Sequence, residues 1–358
     1  MKKAMTSKER TLAAFARQEP DRVPVNYQAN PEIDQRLKAR YGLAAGDDEG
    51  LRRALGVDFR GVGAPYVGPP LHEAPPGMQV SIWGIRTRWV GHEAGGYWDY
   101  CDWPLREATM ERVESWPLPS PDDFDYSQVA EHCRQYAEFC VTTGGAGGDD
   151  IINFTGMLRT MEQVLVDLIS DDPVGLRLID RRTSIGLEVC RRTLEAAQGG
   201  IDVLWIGEDL GTQRGPTMSL ELFRRHIRPR LQRLCDLARE FGIPLMMHSC
   251  GSSSWAFDDF AEMGIGVVDT LQPEAKDMAP PYLKARYGDR LAFHGMISTG
   301  GPVAYGTVDE VVANVRETLE IMMPGGGYAL APTHCLQSNS PTESVVAMYE
   351  AARTYGRY

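Results

Sequence analysis

The chain has 358 residues, 43% hydrophobic and 24% charged, values of a folded protein long enough for one α/β barrel with insertions. A net charge of −12 excludes a broad phosphate-binding surface for nucleic acid and argues against a polyanionic substrate, because such binding rests on clustered Lys and Arg. No run approaches the ~18 apolar residues of a membrane span, no apolar segment follows the charges of Met1-Lys2-Lys3, and the cysteines lack a framework spacing, so the expected location is the cytoplasm with reduced thiols.

In chain order, Thr6 with Glu9 three positions on forms a capping box opening a helix through Leu12, Ala13 and Phe15. Arg22-Val-Pro-Val-Asn-Tyr27 reads as a first strand, with Asn26, Tyr27 and Gln28 at its end, and Asn30 before Pro31 starts a helix to about Tyr41. Gly56–Ala64 reads as a second strand. From about Pro65 to Trp103 the chain is rich in Pro, Gly, Trp and Tyr, and period-two segments at Gln79–Trp83, Arg86–Val90 and Gly96–Cys101 read as an antiparallel meander. Packing is the default role for so many aromatics, with a lid or a partner surface as alternatives. A helix through Cys133 and Phe139 precedes the Gly-rich run Thr143–Asp150. That run invites comparison with a phosphate loop, but its expected place, after a helix and before a strand at Ile151–Phe154, argues against one.

Helices around residues 158–169 and 174–197 lead to the strand Ile201–Leu210, which ends in Glu208 and Asp209. Strands and helices then alternate: a helix from Ser219 to Phe241, a strand to His248 and Cys250, a helix ending near Gly264, and the strand Val267–Gln272. After a short helix ending at Tyr287 come the strand Leu291–Met296, a helix capped by Thr307 and Glu310, a strand toward Cys335, and a last helix opened by Ser340-Pro-Thr-Glu343. About eight such units argue α/β architecture, a single (β/α)8 TIM barrel over residues 1–358 with an N-terminal helical extension and a β meander inserted at about 65–105.

His248 and Cys250, two positions apart on an extended chain, point to one face, and Cys335 ends a second strand-like run. His, Cys and Cys are zinc ligands, and three of them leave a fourth position open, the mark of catalytic rather than structural zinc. The bland reading is that free cysteines are small buried hydrophobes, which suits Cys133, Cys140, Cys190 and Cys235 in helix-like stretches. Glu208 and Asp209 are candidates for orienting a substrate or for general acid work, with helix capping or an ion pair to Arg214 equally open. The substrate pocket is assigned to Asn26, Tyr27, Gln213, Gln272, His294 and Met296 at strand ends; for His294 a backbone partner, and for Met296 core packing, are the rival readings. His334 should point away from Cys335 if the strand continues that far.

Ser7-Lys-Glu-Arg, Glu19-Pro-Asp-Arg-Val-Pro-Val25, Asp209-Leu-Gly-Thr-Gln-Arg-Gly215, His248-Ser-Cys-Gly251, Leu271-Gln-Pro273 and Tyr305-Gly-Thr307 together resemble the uroporphyrinogen decarboxylase superfamily, and within it the zinc-dependent, corrinoid-linked methyltransferases. The decarboxylase branch grips carboxylates with an arginine-rich N-terminal segment and holds an aspartate after its second strand; here those places read Pro24–Asn30 and Gly61–Pro65, without arginine or acid. The methyltransferase branch implies Zn²⁺ on His248, Cys250 and Cys335, and a corrinoid (cobalamin) methyl carrier on a partner protein. Where relatives acting on coenzyme M carry a glutamate ligand, this chain has Gln272, with Glu274 two residues on, and this tilts the expected donor from a thiol toward a methyl ether or methylamine, as in an O-demethylase. A decarboxylase or lyase using Glu208 or Asp209, and a non-catalytic corrinoid or tetrapyrrole-binding module, are the alternatives; the expected assembly is a monomer or homodimer.

Overall fold

The computed structural model describes residues 4–92, 95–148 and 150–358; Met1–Lys3 and Asp149, read above, lie outside them. Seven parallel strands form one curved sheet: β1 (Phe59–Gly61), β5 (Cys140–Gly144), β6 (Val203–Gly207), β7 (Leu245–Ser249), β8 (Val267–Thr270), β9 (Ala292–Ile297) and β10 (Tyr328–Pro332), hydrogen-bonded in that order. β5 to β10 are buried at almost every residue, as strands covered by helices on one side and a filled barrel on the other must be.

The eighth stave is the segment expected as the first strand, reduced to isolated contacts. Val25 bridges Leu330 of β10 in parallel, and its carbonyl accepts from Asp58 N at 2.9 Å, so the segment lies between β10 and β1. Pro24 removes one ladder donor from it, one reason its pairing is short. The fully buried carboxylate of Asp58 holds this seam: it accepts from Arg10 Nη1 (2.8 Å), Arg22 Nη1 (2.7 Å) and Val25 N (2.8 Å), while Arg10 Nε reaches Asp21 at 2.6 Å.

The helices at Ser7–Phe15 and Val308–Met322 open on the expected capping boxes. Between residues 139 and 160 the expected order is corrected. Cys140 lies in strand β5 instead of a helix, and Ile151–Phe154 opens the helix Ile152–Arg159 instead of forming a strand. The glycine-rich run therefore follows a strand and precedes a helix. The meander is a separate antiparallel sheet of β2 (Met78–Val80), β3 (Arg86–His92) and β4 (Gly95–Asp102), rooted through Trp83 and Ile85 on a small apolar cluster with Leu105, Trp116 and Leu158. No helix among the described residues is long and apolar enough to cross a membrane.

Candidate functional site

The parallel register puts His248 of β7 beside Asp269 of β8, and Asp269 beside His294 of β9. In register, all three side chains turn to the barrel interior, and one carboxylate serves both rings: Asp269 Oδ2 lies 2.8 Å from His248 Nδ1, and Oδ1 lies 2.5 Å from His294 Nδ1. Trp205 Nε1 donates to Asp269 at 3.2 Å, and Asn26 Nδ2 lies 3.1 Å from His294 Nε2. Burial alone would push the Asp269 pKa up, but the two imidazoles outweigh it and hold the carboxyl well below its usual range. Thr270, a β-branched residue at φ +84°, brings its hydroxyl within 2.5 Å of His248 Nδ1. That is strained backbone at the strand end.

With Nδ1 engaged by Asp269, Nε2 of His248 faces Cys250 Sγ at 3.3 Å and Asp209 Oδ1 at 3.7 Å. Among the described residues, Asp209, His248 and Cys250 are the His, Cys and acidic donors that lie within 4.8 Å of one another. Zinc bonds of ~2.0–2.3 Å at tetrahedral angles place donor atoms about 3.5 Å apart, so this set fits the ion. Burial lowers the His248 pKa, but Asp269 and Cys250 more than reverse it; burial raises the thiols of Cys250 and Cys335, against a downward pull from His248. Asp209 also accepts from Cys250 N at 2.8 Å, which ties the two strand ends together.

These donors open onto a cavity of about 660 Å³ at the C-terminal end of the strands, a volume suited to a small organic ligand. Cys335 and His334 line it too: β10 stops at Pro332, so strand alternation no longer separates them. Tyr100 and Trp103, from the end of the meander and just beyond it, lie over the cavity with Phe154 and Met157 from the helix Ile152–Arg159. Asp150 and Asn153 complete one side; Asn153 Nδ2 joins the two acids, 3.1 Å from Asp150 Oδ2 and 2.9 Å from Asp209 Oδ2. Burial first, then the charge of Asp209, pushes the Asp150 pKa up to about 6.

The adjacent acids just past the end of β6 part company. Glu208 is fully buried and accepts from Ile151 N (2.7 Å) and Ile152 N (3.2 Å), so its carboxylate fills the helix N-terminus where a phosphate would sit. The glycine-rich loop is packed too closely to wrap a ligand there: a Cβ on Gly207 would stand 1.6 Å from Ala146 O.

The remaining predicted substrate residues do not line the cavity. Asn26 and His294 are buried; they bond each other, His294 Nδ1 faces Asp269, and Asn26 Oδ1 accepts from Tyr27 N at 2.8 Å. The Tyr27 hydroxyl donates to Asp34, and Met296 is in the core. Gln272 accepts from Gln213 Nε2 (2.9 Å) and Gly251 N (2.8 Å), bracing the loop that carries Cys250. Of the residues flagged at the first strand end, Gln28 reaches the cavity. Asp150 was not singled out as a site residue; the signal for it was an acid closing a glycine-rich loop, once that loop is placed after a strand.

A family profile described as uroporphyrinogen decarboxylase (URO-D) matches residues 101–355. Among solved structures, a methyltransferase from Methanosarcina mazei is 20% identical, covers 98% of this chain and 99% of its own, and has a TM-score of 0.65, which bears on the fold. A 3-keto-D-glucoside 4-epimerase from E. coli is 14% identical over 64% of this chain and 87% of its own, with a TM-score of 0.42. No curated protein matches the sequence.

Proposed function

The chain belongs to the uroporphyrinogen decarboxylase family, and from that premise we propose that it is a zinc-dependent methyltransferase that moves a methyl group between a small molecule and a corrinoid presented by a partner protein. The observation that carries this reading is the donor set Asp209, His248 and Cys250 opening onto the cavity, with Cys335 on the same wall. The name of the Methanosarcina mazei structure agrees with it. A zinc ion held there would supply a Lewis acid beside the bound substrate. His248 is aimed by Asp269, Cys250 is fixed through its backbone by Asp209, and Tyr100 and Trp103 line the cavity with apolar ring surface.

Carboxylate-gripping decarboxylation finds less support. The N-terminal arginines Arg10 and Arg22 are committed to Asp21 and Asp58, and among the described residues the cavity is lined by no lysine or arginine. The test is zinc content by elemental analysis, alongside methyl transfer to cob(I)alamin from a panel of methyl ethers, amines and thiols. Wild type is expected to carry one zinc and transfer a methyl group; His248→Ala should lose both, and Asp209→Asn and Cys335→Ser, compared for zinc affinity, identify the third ligand. Wild type free of zinc after purification in zinc-containing buffer ends this reading.

A further inference from the structure

The barrel backbone is strained beside the donor set in a way that no candidate ligand explains. Thr270 closes β8 at φ +84° and Leu271 follows at φ +52°, two left-handed residues in a row, neither of them glycine. A β-branched side chain is among the least tolerant of that region. The neighbouring strand is shaped to accept the kink: Gly295 of β9, in register with Thr270, has φ +119°, and a Cβ there would stand 2.3 Å from Thr270 O. Such a conformation persists only where its surroundings hold it, and it collects at sites where the strain has a use.

Strand alternation shows what the kink does. Asp269 points into the barrel, so a regular strand would turn Thr270 the other way, with Val268, toward the helices. The reversed φ instead brings the buried hydroxyl back to the interior, 2.5 Å from His248 Nδ1 and 3.4 Å from Nε2. Asp269 by itself holds the imidazole at one atom, about which the ring can still pivot, because the torsion that sets its plane is broad. A second contact from the adjacent residue fixes the plane as well, and with it the direction of Nε2 toward Cys250 and Asp209. The same turn delivers Gln272 Oε1 to Gly251 N at 2.8 Å, which braces the loop of Cys250.

We propose that Thr270 is a positioning residue for the metal, one whose strained backbone serves to set the plane of the His248 ring. This rests on the zinc reading for the ion, and not on the identity of the methyl donor or its acceptor. Glycine would take the same φ without strain, so the side chain at 270 costs the metal-free fold some stability and supplies geometry at the donor set. Stability and metal affinity are therefore opposed at this one position. A residue that merely fills the core behaves differently, since truncating it lowers both.

The experiment compares wild type with Thr270→Gly, Thr270→Val and Thr270→Ser. It measures zinc affinity by competition with a chelating dye, the melting temperature of the metal-free protein, and the absorption bands of the cobalt(II)-loaded protein. Thr270→Gly and Thr270→Val, which lack the hydroxyl, are each expected to bind zinc about 10–100-fold more weakly, and Thr270→Ser, which keeps it, to stay within about threefold of wild type. Metal-free Thr270→Gly should melt at or above the wild-type temperature. The cobalt bands, which report how His248 and Cys250 are arranged around the ion, should move in Thr270→Val and return in Thr270→Ser. Unchanged zinc affinity in Thr270→Val, or Thr270→Ser as weak as Thr270→Val, overturns the proposal. So does a Thr270→Gly protein that loses melting temperature and metal together. The two readings fail separately: zinc binding that depends on the hydroxyl, with no methyl transfer from any donor, sinks the enzyme reading alone. Equal zinc and equal transfer in wild type and Thr270→Val sink the positioning role alone, and wild type free of zinc ends both.

Discussion

At the scale of single residues, the most consequential group touches neither the cavity nor any candidate ligand atom of the substrate. Asp269 takes hydrogen bonds from His248, His294 and Trp205, and so leaves Nε2 of His248 as the nitrogen free for a metal. Substituting such a partner typically costs 10–100-fold in metal affinity. Asp269→Asn is therefore expected to weaken zinc binding by about that factor while leaving the far-ultraviolet spectrum unchanged, as competition with a chelating dye would show; an unchanged affinity removes Asp269 from the account. Asp150 gives a pH signature. Its pKa rises from an ordinary 3.8 to about 6 in the folded chain, so its ionisation opposes folding: the cost is absent below both values, grows from pH 4 to 6 and is complete above. In metal-free protein, the stability of Asp150→Asn relative to wild type should thus shift in the variant's favour by up to about 3 kcal/mol between pH 4 and pH 8, on top of a pH-independent loss of the carboxylate's hydrogen bonds to Asn153 and Phe154. Urea unfolding of both proteins at the two pH values checks this, and a gain that grows toward acid pH contradicts it.

At the scale of elements, what was legible in the sequence was local. Thr6 with Glu9 and Thr307 with Glu310 announce helix starts because a capping box is complete within four residues. His248 and Cys250 were findable because their two-residue spacing lies on one strand and its immediate end. Strand β5 was not, because Cys140-Val-Thr-Thr and Ile151-Ile-Asn-Phe are both short apolar runs, and in such runs periodicity cannot separate a buried strand from a buried helix turn. Once that pair was exchanged, the glycine-rich loop changed its setting and Asp150 stayed out of view. Glu208 and Asp209 were equivalent in sequence, and only the fold decides which of two neighbours on a chain faces the cavity. The N-terminal motif read in the sequence as part of the family resemblance proves to be a barrel seam, with Arg10 and Arg22 converging on Asp58. Asp58→Ala strands two arginines at that seam, one of them buried, and should cost about 3–5 kcal/mol, read from the denaturant midpoint. A cost under about 1 kcal/mol would mean that the seam is held by backbone pairing alone.

At the scale of the whole molecule, barrel and meander are two structures with different debts to the core. The barrel strands are buried along their length, whereas β3 and β4 show solvent Trp89, Tyr97, Trp98 and Tyr100, each at least 43% exposed. Trp89 and Trp98 pack edge to face on each other, with ring centroids 5.8 Å apart, so the tip of the hairpin satisfies itself and adds nothing to the barrel's interior. Its root is different: Trp83 meets Phe154 at 5.7 Å, and Ile85 joins the cluster with Leu105 and Leu158, through which the meander reaches the cavity. Length beyond the Thr87–Tyr100 pair should therefore be dispensable for folding and for metal. Replacing residues 88–99 with Asn-Gly, a dipeptide that closes a two-residue hairpin, keeps Tyr100 and the root. The shortened protein is expected to melt within about 2 °C of wild type and to hold the same zinc, because a change under about 1 kcal/mol moves a chain of this size by no more than that. A fall of 5 °C or more would show that the tip buttresses the barrel. Intact melting with loss of zinc would instead tie the hairpin to the donor set at the strand ends.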